Sequence, residues 1–494
     1  MWFPLVLPIF RALASISMGS LESQSPFALL RFGGTASPSE AARRLLSRCI
    51  LATAIYELWG AGKDYDSLHA DVRARTESRW PLHSNSTFRF EMDSYQGRRS
   101  MSEQRAIVET FAYMEFKGKV VMKKPDHQFV VFEEYALDEQ GNSVGFPHRL
   151  FFGRLVAESD RKAINKYTLK KRSYIATTSM DAELSLVTAN LAQAAPGRVM
   201  YDPFMGTGSF PLCCAHFGAM VLGSDLDGRS IRGKGSRSVL GNFKQYGTSS
   251  QYLGGFVADV TNSPLRQRRD LDGIVCDPPY GVREGLKVLG STRVALQEVV
   301  YLADGKPAHL QSNYIPPKKP YSFLRMMDDI LDFSADRLVD GGRLCMWMPV
   351  AGAPDSDAMG GDGAEPDEKE YDIPRHPALE LDSVCQQDFN KWSRRLITYS
   401  RVADREVDGA ELAAYKAARL ALNDETDDVG KTLSANALND FRKQVRGFPS
   451  SCRHTTQKTD CFPVFLGLQG HQAGRLKEDR LASMARQMMT RLRA

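Results

Sequence analysis

The apolar and polar positions of this chain follow two different rhythms. In the first third the apolar runs are short and irregularly spaced. Phe27-Ala-Leu-Leu-Arg-Phe32, closed by Gly33-Gly34, predicts a strand. Ser37-Pro38-Ser39-Glu40 carries a helix-start signature, with Ser37 at the N-cap, Pro38 in the first helical position and Glu40 as the reciprocal partner of a capping box. The spacing then predicts a helix through Ala41, Leu45, Leu46, Ile50 and Ala54. Phe88-Arg-Phe-Glu-Met92 alternates like a half-buried strand, and Ser102–Phe116 reads as an amphipathic helix with Ile107, Val108, Phe111 and Met114 on one side. Val120–Met122 and Phe129–Phe132 predict two strands paired around a Pro125-Asp126 turn. This is an α+β pattern with no turn suited to cradling a nucleotide.

From Arg198 the rhythm becomes regular. Val199–Tyr201 predicts a strand ending at Asp202, followed by a Gly-rich turn and a helix, Phe210–Phe217. Met220–Gly223 leads to Asp225, Gly255–Val257 to Asp259, and Asp272–Cys276 to Asp277. A helix over Tyr321–Leu338 precedes an apolar run, Leu344–Met348, and Arg394–Val402 reads as a late strand of the same sheet. Strands alternating with helices predict an α/β fold with a parallel, doubly wound sheet. In such sheets ligands bind at the carboxyl ends of the strands. Four aspartates are expected there. Pro354–Lys369 is polar, acidic and Gly-rich, and is expected to be a mobile loop; beyond Ala403 the chain reads as charged helix and loop.

Length and composition narrow the picture. A chain of 494 residues suits two or three domains. A net charge of +5 says little about a nucleic-acid partner, for which a local basic patch matters more. The eight cysteines include no C-x-x-C pair, so no metal site is assigned, and they form no disulfide framework; a reducing compartment, the cytoplasm, fits best. Met1–Leu21 is apolar but broken by Pro4, Pro8 and Arg11. It lacks the basic start of a secretory signal and reads as a first strand and helix, or as a chain whose true start is Met18, with a targeting segment as the alternative. No stretch predicts a membrane span, so the protein is expected to be soluble.

The chemistry concentrates at the predicted strand ends. In Asp202-Pro-Phe-Met-Gly206-Thr207-Gly208-Ser209 the glycines permit a tight turn and close approach to a ligand, while the following helix offers free N–H groups. An ordinary β–α turn has the same look. Asp225, at the next strand end, is placed to bind ribose hydroxyls, and Asp259, at the third, to bind an adenine amino group. Any one of these acids is equally a turn cap; three in series around a Gly-rich turn favour a ligand. Asp277-Pro278-Pro279-Tyr280 follows the fourth strand. An aromatic amine is a poor nucleophile because its lone pair is delocalised into the ring. Two acceptors for its hydrogens, the Asp277 carboxylate and the Pro278 carbonyl, redirect that pair. The tandem prolines stiffen the acceptors' backbone, and Tyr280 offers a face for stacking a base. The competing reading is a proline turn capping a strand.

The Gly-rich turn and Asp277–Tyr280 together resemble class I, Rossmann-like methyltransferases that act on amino groups of DNA adenine and cytosine, of protein glutamine and of RNA guanine. Longer strings are similar to the catalytic subunit of eukaryotic tRNA (guanine-10-N2)-methyltransferases: Lys171–Ser185, Asp202–Gly208, His216–Ala219 and Asp277–Glu284, with Ile55–Gly60 and Lys123–His127 upstream. The resemblance runs from about Ser25 to Val402. It implies a ferredoxin-like region over 1–85, a THUMP-like tRNA-binding region over 86–160, a basic cofactor-flanking linker over 161–195, a methyltransferase domain over 196–402 and a charged extension over 403–494. It also implies S-adenosyl-L-methionine held by Asp202, Gly206, Thr207, Gly208, Asp225 and Asp259, with Ser179 and Met180 of the Thr178–Asp181 stretch packed beside it. Asp277, Pro278, Pro279 and Tyr280 then take the N2 amine of guanine 10, and the THUMP-like region grips the acceptor end of the tRNA. The family further implies a small zinc-binding methyltransferase activator subunit as partner. The first twenty or so residues match poorly. Asn439–Lys443 faintly resembles the family's end, and 447–494 resembles nothing identified.

The basic residues are less decisive. Lys162, Lys166, Lys170, Lys171 and Arg172 suit phosphate contacts or a solvated linker equally, and Lys166, Lys170, Lys171 and Arg172 are taken as tRNA-binding candidates. Arg229, Arg232, Lys234 and Arg237 read rather as an exposed helix face. Leu481, Met484, Met488 and Leu492, within Arg475–Arg493, read as a docking stripe. Two competing functions remain at this point. Another nucleic-acid amino-methyltransferase would carry a target-recognition insertion, whereas 354–369 is too acidic for that; a non-catalytic tRNA scaffold would carry a damaged motif, whereas both motifs are intact.

Overall fold

The computed structural model describes residues 15–20, 25–33, 37–280, 286–291, 293–311, 314–351, 373–389 and 392–429. These residues form two compact units, the first closing at Ala163 and the second opening at Ile164. The expected acidic loop over 354–369, Asn439–Lys443, the Arg475–Arg493 stripe and the end of the Asp277–Glu284 string lie outside the described residues.

The first unit begins with an antiparallel ribbon of β1 (Ser15–Ser20) and β2 (Ala28–Gly33). Then α1 (Pro38–Leu46) starts at the expected residues, with the Ser37 hydroxyl accepting the Glu40 amide, while the Glu40 carboxylate pairs with Arg43. It stops at Leu46 rather than reaching Ala54. Cys49, Ile50 and Ala54 are all buried, so the apolar spacing continues past the end of the helix and imitates a longer one. After β3 (Ala54–Gly62) come α2 (Tyr65–Thr76), the single turn α3 (Trp80–His83), β4 (Phe88–Tyr95), α4 (Met101–Glu109), β5 (His127–Leu137) and β6 (Ser143–Glu158). The helix expected to Phe116 tightens into a 3₁₀ turn over Thr110–Met114 and ends at Glu115, where φ is 51°.

These strands build one sheet in the order β3-β6-β5-β4, in which β4 and β5 run parallel. Two expectations are corrected here. Val120 makes only an isolated bridge to Phe88, and Phe129–Phe132 pairs with β4 and β6; Asp126, instead of turning a hairpin, accepts from the backbone and hydroxyl of Thr87. Nor does a boundary at residue 85 separate two bodies, because β3 has its sheet partner in β6. The sheet packs an aromatic core in which Phe90, Phe129 and Phe152 are stacked and Trp59 is fully buried.

The boundary between the units falls inside α5 (Lys162–Tyr167). The stretch expected as a linker over 161–195 therefore mostly belongs to the second unit, and α6 (Ala182–Leu191), capped by Asp181, is buried along its length. There follow β7 (Val199–Asp202), α7 (Ser209–His216), β8 (Met220–Asp225), α8 (Gly228–Arg232), α9 (Val239–Tyr246), β9 (Tyr252–Val257) and β10 (Leu271–Cys276). A small antiparallel pair, β11 (Lys287–Leu289) and β12 (Lys318–Pro320), precedes α10 (Phe323–Arg337) and β13 (Leu338–Ala351). The described chain ends with β14 (Leu379–Asp388), β15 (Trp392–Arg401) and α11 (Gly409–Val429).

The sheet order is β14-β15-β13-β10-β7-β8-β9. From β13 to β9 the strands are parallel, and β15 runs antiparallel between β13 and β14. The α/β class is as expected, with one reversed strand and one strand, β14, that the pattern did not announce. Side chains alternate across β13. Met346 and Met348 join Met326, Ile330 and Leu331 of α10, while Trp347 points the other way and donates its indole N–H to Thr188 of α6. Helices thus cover both faces of a doubly wound, Rossmann-like sheet. Among the described residues no helix is long and apolar enough to cross a membrane.

Candidate active site

The strand order reverses between β7 and β10, the place where open α/β sheets form a ligand crevice. Asp202 ends β7 and Asp277 follows β10, so both lie beside that reversal. Asp202 is 1% exposed. One carboxylate oxygen accepts the Phe204 amide at 2.9 Å; the other is buried without a hydrogen-bond partner. Burial, with the negative charges of Asp225 and Asp277, raises its pKa well above the usual carboxylate range against the pull of the Phe204 amide.

The turn that follows depends on its glycines. Gly206 has φ +52° and Gly208, the N-cap of α7, has φ +85°, a region that costs an L-residue about 1–2 kcal/mol. A Cβ on Gly208 would also meet Val239 at 3.1 Å. Asp225 braces the turn from the neighbouring strand, accepting the Gly206 amide at 2.8 Å and the Asp227 amide at 2.7 Å. Its carboxyl is raised, chiefly by burial. Asp259 lies beyond β9 and caps its own loop: one oxygen takes the Thr261 amide and hydroxyl and the Asn262 amide, and the other takes the Leu289 amide.

The segment before α6 is strapped to the same turn. The hydroxyls of Ser179 and Thr207 share a hydrogen bond of 2.8 Å, and Met180 is buried. Asn242 of α9, which the sequence did not single out, ties three backbone points together. Its amide nitrogen donates to the carbonyls of Tyr174 and Thr207, and its oxygen accepts the Tyr174 amide. Nothing in the local sequence marks this asparagine, because its partners lie far away along the chain.

At the fourth strand end Pro278 is buried, and the Tyr280 hydroxyl donates to one oxygen of Asp277. Burial pushes the Asp277 carboxyl up to about 6, opposed by the Tyr280 hydrogen bond and by the positive charge of Arg394. The Tyr280 phenol is driven well above its ordinary range, first by burial and then by the Asp277 charge. No motif in the sequence marks Arg394 as part of this corner. Its charge acts on this corner from β15, which is inserted next to β13, where Arg394 lies over Trp347 and bonds Gln387.

The basic stretch divides. Lys166, Lys170 and Lys171 are exposed. Arg172 is not: it is 5% exposed, donates to the Ser209 hydroxyl at 2.8 Å and to the Tyr167 carbonyl at 3.2 Å, and so secures the start of α7 rather than meeting a phosphate. In the second cluster Arg229 is paired with Asp227 at 2.7 Å.

The profile of the Tmrp11 THUMP N-terminal domain matches residues 11–161, and that of the RMKL-like methyltransferase domain matches residues 170–290. The tRNA (guanine(10)-N(2))-methyltransferase of Saccharomyces cerevisiae is 43% identical over 392 residues, covering 78% of this chain and 86% of its own length. The human tRNA (guanine(10)-N(2))-methyltransferase is 35% identical over 395 residues, covering 77% and 80%. Among solved structures, TrmN from Thermus thermophilus matches 81% of this chain and 97% of its own at 18% identity, with a TM-score of 0.40, too low to bear on function. On the extent and level of identity to the yeast and human proteins, the chain belongs to the tRNA (guanine(10)-N(2))-methyltransferase family.

Proposed function

We propose that this chain transfers a methyl group from S-adenosylmethionine to the exocyclic N2 amine of guanine 10 in tRNA. The observation that carries the reading is the meeting, at one sheet reversal, of a buried Gly-rich turn and the Asp277–Tyr280 element.

The residues fit the cofactor. Asp202 keeps a buried oxygen without a partner at the foot of a turn whose two glycines have left-handed backbone. Such an orphaned acceptor costs about 1–3 kcal/mol and is expected where a ligand supplies the missing donor. Asp202, Gly206, Thr207 and Gly208 form the floor of the site, Asp225 takes the ribose hydroxyls, Asp259 shapes the adenine end, and Ser179 and Met180 wall the flank. When bound, S-adenosylmethionine supplies a methyl group activated by its sulfonium.

The chain's own residues prepare the amine. Asp277 accepts one N2 hydrogen and the Pro278 carbonyl the other, so that the nitrogen lone pair is drawn out of conjugation with the ring and localised on nitrogen, facing the methyl donor. With its carboxyl near 6, Asp277 is mostly ionised at neutral pH, as an acceptor must be. Its second oxygen is left for the amine, since the first is engaged by Tyr280. Pro279 limits the backbone's freedom and the Tyr280 ring flanks the extruded base. Exposed Lys166, Lys170 and Lys171 contact tRNA phosphates. A small zinc-binding activator subunit is the expected partner, and the cytoplasm the expected compartment.

The test is incorporation of labelled methyl groups into unmodified tRNA, with and without that subunit, followed by nucleoside mapping. N2-methylguanosine at position 10, lost in Asp277→Ala while tRNA affinity is kept, supports the assignment. Methylation by purified Asp277→Ala would overturn the role of Asp277, and label entering another nucleotide would overturn the substrate.

A further inference from the structure

The Asp277–Tyr280 element is held from two ends. Upstream it leaves β10, whose last residue, Cys276, is in register with Met346 of β13. Downstream, five residues of chain, 281–285, lie between Tyr280 and Leu286, which leads into β11. The tether is short, so the placement of β11 bounds where Tyr280 can sit. Yet β11 has three residues and pairs with a strand of three, too little to hold a position by its own hydrogen bonds. It is fixed from outside. Leu286 and Val288 are buried in the same core cluster as Val260. The Leu286 carbonyl accepts the Tyr321 amide at 3.0 Å, which ties the strand to the start of α10. Asp259, the neighbour of Val260, fastens its other end by accepting the Leu289 amide.

Asp259 is buried and its carboxylate is heavily used. One oxygen takes the Thr261 amide at 2.8 Å, the Thr261 hydroxyl at 2.6 Å and the Asn262 amide at 2.9 Å; the other takes Leu289. A carboxylate offers about four acceptor sites over its two oxygens, so these donors leave little for an adenine amino group. The loop that carries Asp259 is in turn joined to the cofactor turn. The Ala258 amide donates to the Asp225 carbonyl, and the Asp225 carboxylate accepts the Gly206 amide. Asp259 thus stands between the Gly-rich turn and the strand that follows the amine element.

We propose that Asp259 is a positioning residue for methyl transfer: by clasping the Leu289 amide it fixes β11 against the cofactor half of the sheet, and so sets where Asp277–Tyr280 presents the amine to the methyl donor. This rests on the reading of Asp277–Tyr280 as the amine element. The acid at this strand end then serves the geometry of transfer more than the affinity for cofactor. A reactant misplaced by about 1 Å costs up to roughly 100-fold in rate, so one backbone anchor is enough to matter.

Asp259→Asn tests this selectively. The asparagine oxygen can stay with the Thr261 and Asn262 donors; its NH2 group then faces the Leu289 N–H, donor against donor, and the clasp is lost. Three quantities are read on the full-length chain: affinity for S-adenosylmethionine by calorimetry, single-turnover methyl transfer to unmodified tRNA at saturating cofactor, and deuterium uptake by peptides over 286–290 and 258–262. Asp259→Asn is expected to raise uptake over 286–290 while 258–262 stays protected. It is expected to slow the transfer about tenfold with the cofactor Kd held within about threefold, a split that general destabilisation would not give. Val288→Ala loosens β11 without touching Asp259, and decides the matter if Asp259→Asn fails to fold. It should raise uptake over 286–290 and slow the transfer about threefold, again with little change in Kd. A wild-type rate beside a Kd raised tenfold would make Asp259 an adenine acceptor and overturn the proposal. Unchanged uptake over 286–290, or a freely exchanging β11 with an undiminished rate, would overturn it equally. Asp277→Ala separates the two readings. If it transfers methyl groups like wild type, the amine reading falls and this proposal with it; if it is inert while Asp259→Asn keeps the wild-type rate, only the role of Asp259 falls.

Discussion

Asp277→Asn should make the cofactor-free protein more stable while ending its activity, and the gain should depend on pH in a defined way. The Asp277 carboxyl sits at about 6 in the folded protein against an ordinary 3.8. About two units, at 1.36 kcal/mol each, correspond to roughly 3 kcal/mol of destabilisation once the group is ionised. The residue is not wholly shut off from solvent, and screening trims the figure to about 2 kcal/mol. The native state binds this proton more tightly than the unfolded chain, so stability falls as pH rises. The loss starts near pH 4 and is complete above pH 6. Asparagine never ionises, keeps an oxygen for the Tyr280 hydroxyl, and escapes the loss. The variant should therefore match wild type near pH 4 and exceed it by about 2 kcal/mol at pH 7.5, worth roughly 4–8 °C in a unit of this size. Scanning calorimetry at pH 4.5, 6.0 and 7.5 reads this directly. A gap of the same size at pH 4.5, or an asparagine variant less stable at pH 7.5, would refute the reasoning. The sign is that of a residue retained for chemistry at the expense of stability.

Two further outcomes follow from the site. Asp225→Ala should raise the dissociation constant for S-adenosylmethionine by roughly 10–100-fold, the loss of about 1.5–3 kcal/mol in charge-assisted hydrogen bonds, and equal affinity by calorimetry would remove the ribose assignment. Replacing Lys166, Lys170 and Lys171 by alanine should flatten the salt dependence of tRNA binding by about one unit of slope for each phosphate no longer neutralised, whereas Arg172→Met should leave that slope alone and lower the melting temperature; a change in slope with Arg172→Met would place that arginine back on the RNA.

The catalytic half was legible where each strand is short, apolar and closed by an acid. Val199–Asp202 and Met220–Asp225 lie where the pattern put them, and their terminal aspartates meet the Gly-rich turn. Legibility failed wherever burial did not follow the element. Cys49 and Ile50 are core residues in a turn, so their spacing lengthened a helix that ends at Leu46. Val120 has the composition of a strand but is 65% exposed and makes a single bridge. Charge in the sequence does not say on which side of the surface it lies: Lys171 is exposed and its neighbour Arg172 is buried on Ser209. Asn242 and Arg394 were invisible for a topological reason. Asn242 reaches the turn through helix order, and its side-chain partners Tyr174 and Thr207 lie far back in the chain; Arg394 bonds Gln387 of its own hairpin, which marks a strand pair and not a site.

The place of β15 between β13 and β14 also has a meaning in time. A ribosome delivers β7, β8 and β9 early, and with them the Gly-rich turn and Asp225. It delivers β13 and β14 before the strand that must lie between them. A nascent chain can therefore close its cofactor half while the sheet edge beside Asp277 is still open, and that edge is sealed only when Trp392–Arg401 emerges and slots antiparallel into the gap. The sheet is therefore completed from within: its last strand to be made is not an edge strand, and β14 has to wait for it before it can join the rest.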